Sequence, residues 1–355
     1  MRPDPRNTGN EEPVRLNKRS ALVRHQAHRA CGRLTALLQH ASTRVNSINS
    51  RRPWLKNVIS ALLMGSGLIF VIHALREQME TLLTTGTSVH LPEYAALASL
   101  ATLTTLITAS LHAEILAQHA KGIEIDRRLT RYAYAISQVA RYIPGKIFGV
   151  ILESQMLGPA IGIARVIKAT LLQTVLVYAW AGFISVSILA AILLNATWLL
   201  LLAPAAIPLL WSRPGNRLLL HVGSAIKIQA SPQPSQMQQD DDGRRNSLPC
   251  MLLLALQWIP FFAMWFLITG TDHGISKALW LGASYLLASI AGSLLVFAPS
   301  GLIVREAAFI WLGGLHGIPA ASLLIWAIVM RIALTLADVM AIPLLWAALR
   351  LRNGK

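Results

Sequence analysis

The stretch Arg141-Tyr142-Ile143-Pro144-Gly145-Lys146-Ile147-Phe148-Gly149 places two cations and a Pro-Gly break inside a mostly apolar segment, residues 132–152. A charged side chain at membrane depth costs at least roughly 2.5–3.5 kcal/mol on insertion scales, so it is rarely accidental. Proline fixes φ and lacks a backbone donor, which suits the first turn of a helix that begins there. The stretch therefore predicts a broken helix whose N-terminus points into a protein-lined cavity. Such a terminus attracts anions, because its free N–H groups and its dipole both favour negative charge.

A second stretch follows the same plan. Ala298-Pro299-Ser300-Gly301-Leu302-Ile303-Val304-Arg305-Glu306 again places proline, glycine, a cation and an acid in a hydrophobic context. Glu153 follows the first break as Glu306 follows the second, although the offsets differ. Paired interrupted segments in the two halves of a membrane protein point to a binding site near the bilayer midplane. The sequence thus predicts two pseudo-repeated halves around such a site.

These two stretches carry a resemblance to a known family. ARYIPGKIFG (140–149) and APSGLIVREAAFIWLG (298–313) resemble the signature motifs of the lysylphosphatidylglycerol-synthase transmembrane-region family, also called flippase-like. The family patterns are roughly A-R-Y-[LIV]-P-G-K-[VI]-[WF] and P-G-G-[LI]-G-x-R-E. Ser300 and Ile303 stand where the family commonly has glycine. The resemblance covers the chain from Trp54 to its end.

The resemblance implies a membrane part that moves lipids. Family members that make lysyl lipids carry a separate soluble synthase domain after the membrane part. This chain ends at Lys355. We therefore expect the flippase part alone, without lipid aminoacylation.

Composition and charge indicate a membrane protein with many helical crossings. Of 355 residues, 54% are hydrophobic and 14% are charged, whereas a soluble domain carries about 25% charged residues. The apolar runs are about 20 residues long, which is the length of a membrane helix and not of a barrel strand. The net charge is +16, but the cations concentrate in residues 1–56 and beside apolar runs. That distribution is typical of positive-inside topology and argues against nucleic-acid binding. The two cysteines, Cys31 and Cys250, suggest neither a disulfide nor a metal site.

The predicted fold is an all-α polytopic membrane protein with about eight transmembrane helices plus a re-entrant broken helix, residues 132–160. The eight predicted spans are residues 54–75, 94–116, 163–190, 196–211, 248–268, 278–297, 299–317 and 320–349. Both termini are basic and therefore predicted to be cytoplasmic, which requires an even number of crossings. Whether 299–317 spans or re-enters is open, since it is short and charged, and eight crossings is the preferred count.

Five regions follow from this topology. They are a basic cytoplasmic N-terminal segment (1–53), a first membrane half (54–211), a cytoplasmic and largely disordered linker (212–247), a second membrane half (248–349) and a cytoplasmic tail (350–355). The predicted location is the bacterial inner membrane.

Ionisable residues inside these apolar segments are few, and they define the predicted site. The predicted substrate-binding residues are Arg141, Pro144, Gly145, Lys146, Glu153, Pro299, Gly301, Arg305 and Glu306. Arg331 and Asp338 are predicted to be structural charge partners. They lie seven residues apart, about 10 Å along a helix, so they are not a simple pair and Glu306 is the expected partner of Arg331. In one interpretation the charges only neutralise one another. In the preferred one, Lys146 and Arg305 bind a lipid phosphate and the acids tune or release it.

Other chemistry is poorly supported. His112 and Glu114, with His119, are interpreted as a polar interfacial helix end, because residues at i and i+2 point to different faces. The chain shows no Gly-rich phosphate loop, nucleophile elbow or metal-ligand cluster, so no enzyme activity, metal or cofactor is expected. The expected function is translocation of an anionic lipid or lipid-linked precursor between leaflets, with membrane lipids as partners. The alternatives are a non-transporting partner or regulator of a lipid or glycan biosynthesis pathway, and a lipid-modifying transferase.

Overall fold

The computed structural model describes residues 91–120, 123–140, 148–159, 161–202, 247–269, 274–294 and 302–353. These residues form helices and no strands. The elements are α1 (Leu91–His119), α2 (Arg127–Ala140), α3 (Phe148–Leu157), α4 (Gly162–Leu193), a 3₁₀ helix (Thr197–Leu201), α5 (Ser247–Leu256), α6 (Trp258–Thr269), α7 (Gly274–Leu294), α8 (Leu302–Gly314) and α9 (Ala320–Asn353).

Helix α1 is the centre of the packed body. Helices α2, α4, α5, α6 and α9 all contact it. Ala109, Leu111 and Ala113 are fully buried although successive helical positions point about 100° apart. A helix that is apolar all round is stable only where neighbours cover every face. The position of α1 follows from that requirement.

Helices α2 and α3 form two arms around the first sequence break. They span 14 and 10 residues, about 21 Å and 15 Å, and they pack against each other. Each arm is shorter than the roughly 30 Å hydrocarbon core of a bilayer. At their contact, a Cβ built on Gly149 would lie 2.6 Å from the carbonyl oxygen of Ser137. The glycine therefore allows the two backbones to approach closely.

The turn between α3 and α4 uses two glycines in the left-handed region. Gly158 has φ of 85° and Gly162 has φ of 70°. Residues with a Cβ avoid this region, so the turn geometry explains the glycines. Asn195 has φ of 54° just after α4 ends, a left-handed conformation that asparagine adopts more readily than most residues.

Helices α5 and α6 are two parts of one apolar segment. The break falls at Gln257, and Pro260 lies in the first turn of α6. Proline lacks an N–H and its ring clashes with the carbonyl four residues earlier, here that of Leu256. Pro260 therefore explains why the helix breaks at the residues just before it.

Helix α7 packs against α4, α6 and α8, and α9 packs against α1, α2 and α8. At the α6–α7 contact, Gly282 lies beneath the ring of Phe262, where a Cβ would come within 2.7 Å of a ring carbon. The absence of a side chain at Gly282 therefore allows α6 and α7 to pack closely. Helix α9 is the longest of the described elements, with 34 residues.

Five of the predicted spans correspond to helices long and apolar enough to cross a membrane. They are Pro92–His119, Gly162–Leu193, Leu248–Thr269, Gly274–Ser293 and Ala320–Leu351. The predicted span 54–75 and most of 196–211 lie outside the described residues. So do the N-terminal segment 1–53 and the linker up to residue 246.

The predicted span 299–317 corresponds to a shorter helix than expected. Helix α8 has 13 residues, about 20 Å, and begins at Leu302. That length is less than the bilayer core requires of a single straight helix. A crossing at this position therefore remains a prediction.

Candidate functional site

The structure describes five of the eleven residues predicted to form the site. Glu153 lies on α3, Arg305 and Glu306 lie on α8, and Arg331 and Asp338 lie on α9. The other six are outside the described residues: Arg141, Pro144, Gly145, Lys146, Pro299 and Gly301.

Two arginines and one glutamate form a cluster between α8 and α9, which we call the arginine cluster (Arg305, Glu306 and Arg331). Oε1 of Glu306 accepts from Nη2 of Arg305 at 3.1 Å, and it lies 3.5 Å from Nη1 of Arg331. All three side chains are partly buried, with exposed fractions of 18–20%. The predicted pairing of Arg331 with Glu306 is therefore confirmed.

Three aromatic rings pack together next to this cluster. Tyr285, Trp265 and Phe309 come from α7, α6 and α8, and their ring centroids lie 5.3–5.4 Å apart. The guanidinium carbon of Arg305 lies 5.3 Å from the centroid of the Tyr285 ring, within the range of a cation–π interaction. The ring thus helps to hold one cation over an otherwise apolar layer.

The hydroxyl of Tyr285 is a buried polar group near the arginine cluster. Tyr285 is 2% exposed. In the part of the chain that the structure describes, its hydroxyl has no hydrogen-bond partner. It interacts electrostatically with Arg305, Glu306 and Arg331. Buried tyrosine hydroxyls usually have a partner, so this donor is poised for an additional group.

A second polar group lies inside the packed body, which we call the histidine network (His112, Glu153, Gln173 and Tyr134). Nε2 of His112 lies 2.6 Å from Oε1 of Glu153, and Nδ1 lies 2.7 Å from Oε1 of Gln173. The Tyr134 ring stacks on the imidazole with centroids 4.5 Å apart. His112 and Glu153 are 0% and 1% exposed. Four elements, α1, α2, α3 and α4, therefore meet at one imidazole.

The interpretation of His112 as part of a polar interfacial helix end is wrong. Its side chain is completely buried about two turns before the end of α1. Glu114 does lie near that end and pairs with Arg127 at 3.0 Å. Sequence spacing missed the network because His112 is 41 residues from Glu153 and 61 from Gln173. The available signal was three isolated polar residues in apolar runs, which must find partners when they are buried.

Helix α9 contacts the elements that carry both polar groups. Arg331 belongs to the arginine cluster, and Asp338 lies two turns further on and is 3% exposed. The helix packs against α8 on one side and against α1 and α2 on another. A shift of α9 would therefore change the packing around both the arginine cluster and the histidine network.

Large apolar side chains point outward from the packed helices. Val186, Leu252, Ile259 and Leu344 are all more than half exposed. Apolar surface of this kind on helices long enough to span a bilayer requires a lipid environment. Together with the buried charges, it defines the class of the protein, a multi-pass α-helical membrane protein.

Comparison with known proteins adds no narrower group. No family model, no curated protein and no solved structure matches the chain.

Proposed function

We propose that this protein is a flippase-like membrane protein that translocates an anionic lipid or lipid-linked precursor between leaflets, or assists that translocation. The observation that supports this most directly is the arginine cluster beside the Tyr285 hydroxyl. Two guanidinium groups meet at one carboxylate oxygen in a partly buried position. Guanidinium matches phosphate oxygens through a planar fork of donors, so the cluster suits an anionic headgroup.

The position of Arg305 strengthens this proposal. It is the fourth residue of α8, in the first turn. The N–H groups of a first helical turn have no intrahelical partner, and the helix dipole adds partial positive charge there. A phosphate near Arg305 would receive help from both sources. Glu306 then tunes the cluster, because it competes with the phosphate for the same cations.

The first break is proposed to supply the other part of the site. The cations there are Arg141 and Lys146, which would bind the anionic headgroup. Pro144 and Gly145 would break the helix, as Pro299 and Gly301 would before α8. Each sequence break is followed by a short helix that carries an acid, Glu153 on α3 and Glu306 on α8. This common plan supports two pseudo-repeated halves, with α2 and α3 as the arms of a re-entrant segment.

The complete topology is part of the proposal. It has eight crossings in a bacterial inner membrane, with the N-terminus, the 212–247 linker and the C-terminus in the cytoplasm. The basic residues that flank the apolar runs support this orientation.

Leaflet-resolved transport in liposomes tests the function. Purified protein is reconstituted with a trace of fluorescent phosphatidylglycerol or of fluorescent phosphatidylcholine, and a membrane-impermeant quencher reports the outer leaflet. We expect wild-type protein to move the anionic probe faster than the neutral one. Arg305→Gln should slow that movement at least about tenfold, corresponding to one lost charge-assisted contact of about 1.4 kcal/mol or more.

Arg350→Gln is the matched control. Arg350 is also a cation, but it lies at the end of α9 and stacks on Trp346 at 4.1 Å. We expect this variant to transport like wild type. Equal probe movement with wild-type protein and with protein-free liposomes would contradict transport and favour a non-transporting partner of a lipid or glycan pathway.

A further inference from the structure

We propose that His112 and Glu153 form a buried proton-binding site, and that release of its proton opens the side-chain contact between His112 on α1 and Glu153 on α3. The ligand is a single proton, held between Nε2 of the imidazole and Oε1 of the carboxyl group. This inference does not depend on lipid transport. It follows from the hydrogen bonds of His112, Glu153 and Gln173.

The orientation of Gln173 is fixed by a backbone carbonyl. Nε2 of Gln173 donates to the carbonyl oxygen of Thr108 at 3.0 Å, and it lies 3.5 Å from the hydroxyl of Tyr134. A carbonyl oxygen only accepts, so the flipped amide would place two acceptors against each other. The amide oxygen of Gln173 must therefore face His112.

The orientation of Gln173 determines which imidazole nitrogen carries a hydrogen. An amide oxygen only accepts, and it lies 2.7 Å from Nδ1 of His112. Nδ1 must therefore be protonated in this structure. The state of Nε2 then depends on Glu153 alone.

The contact between Nε2 and Glu153 requires one more proton. At 2.6 Å the two atoms share a hydrogen bond. Either the imidazolium donates to a carboxylate, or a protonated carboxyl group donates to a neutral imidazole; both states hold the same number of protons. If that proton leaves to bulk water, a lone pair of Nε2 faces a carboxylate, and the net charge of the pair falls from zero to −1. An unpaired buried charge is costly, so loss of the proton favours opening of the contact toward water or another partner.

Among the described residues, the charged and titratable groups on the neighbouring elements include Arg131, His119 and Asp338, and the contact of Nε2 of His112 is with Glu153. Tyr134 stacks on the imidazole, and Arg131 lies one turn earlier on the same face of α2. The buried stripe of α4 around Gln173 is apolar, with Val166, Ala169 and Leu176. His119 lies two turns after His112 on α1, and its Nδ1 contacts the carbonyl oxygen of Ile115 at 2.9 Å. Asp338 is buried on α9, which packs against α1 and α2.

The sign of the pH response follows directly. The proton holds the contact, so low pH favours the closed arrangement and high pH favours the open one. Since α3 directly follows the first sequence break, proton release would loosen one arm of the broken segment. Protons are thus linked to the position of α3.

Hydrogen exchange of residues 148–157 in detergent-solubilised full-length protein tests the proposal. Glu153→Gln is the key variant, because its amide donates permanently to Nε2 while Nδ1 continues to donate to Gln173. We expect α3 to exchange at similar rates in wild type and in this variant near pH 5, and at least about tenfold faster in wild type near pH 10. At each pH the wild-type exchange rate of α3 is divided by the rate in Glu153→Gln, and this ratio cancels the intrinsic pH dependence of exchange.

Glu114→Gln is the matched control, since Glu114 is a carboxylate on α1 that pairs with Arg127 outside the network. It should retain the wild-type pH response. If Glu153→Gln does not accumulate, exchange of α3 in wild type is instead compared with that of α7, which does not pack against α3. A ratio that stays constant from about pH 5 to about pH 10 in either comparison overturns the proposal.

Discussion

Gly149 of α3 lies directly against the backbone carbonyl of Ser137 on α2. A Cβ at residue 149 would come within 2.6 Å of that oxygen, and backbone on both sides leaves little room for adjustment. The contact fixes how closely the two arms of the broken segment approach. It also places Glu153, four residues later on α3, at the depth of His112.

Gly149→Ala should therefore destabilise the protein. Overpacking a well-packed contact costs typically about 1–3 kcal/mol, which exceeds the gain of up to about 1 kcal/mol in helix propensity. Thermal unfolding in detergent measures the effect. Gly314→Ala is the control, because no atom lies within 4 Å of a Cβ built there. A loss of stability at Gly314 as large as that at Gly149 would contradict the close-contact explanation.

The sequence predicted helices well where the order of residues along the chain is enough to define them. Apolar runs of sufficient length located five spans. The pairing of Arg331 with Glu306 was predicted because Asp338 is too far along the helix to pair with Arg331. Few other charges were present in the apolar segments. These features depend on composition and short-range backbone constraints.

The histidine network could not be predicted in the same way. His112, Gln173 and Tyr134 come from three helices, and their meeting depends on how those helices rotate around α1. Nothing in the local sequence fixes that rotation. Each residue alone resembles an ordinary polar residue in a long apolar segment.

Gln173→Leu should destabilise the protein through the histidine network. The substitution removes the acceptor for Nδ1 of His112, which is fully buried, and the donor to the partly buried carbonyl oxygen of Thr108. A buried polar group without a partner costs about 1–3 kcal/mol. Gln138→Leu serves as control, because Gln138 makes a single long contact of 3.4 Å with Ser137. Equal unfolding temperatures for the two variants would show that the network contributes no stability.

Reporter fusions test the proposed topology. Fusions near residue 1, within 212–247 and after Lys355 should all report a cytoplasmic position, because each region is basic. A fusion between α6 and α7, at residues 270–273, should report the opposite side of the membrane. A periplasmic signal after Lys355 would contradict eight crossings and favour seven, with α8 re-entering.

The arginine cluster distinguishes ligand binding from mutual neutralisation. Glu306→Gln alone should lower the amount of protein in the membrane, because it leaves two partly buried guanidinium groups beside each other without their common carboxylate. Arg305→Gln combined with Glu306→Gln should restore much of that amount, with a coupling energy of about 0.5–3 kcal/mol measured by unfolding of the single and double variants. The transport rate of the restored double variant is then decisive. If the charges serve an anionic headgroup, phosphatidylglycerol transport stays low at normal abundance, because Arg331 alone cannot replace the lost cation. Wild-type transport by the double variant would instead show that the charges serve only each other, and the proposed headgroup site would have to lie elsewhere.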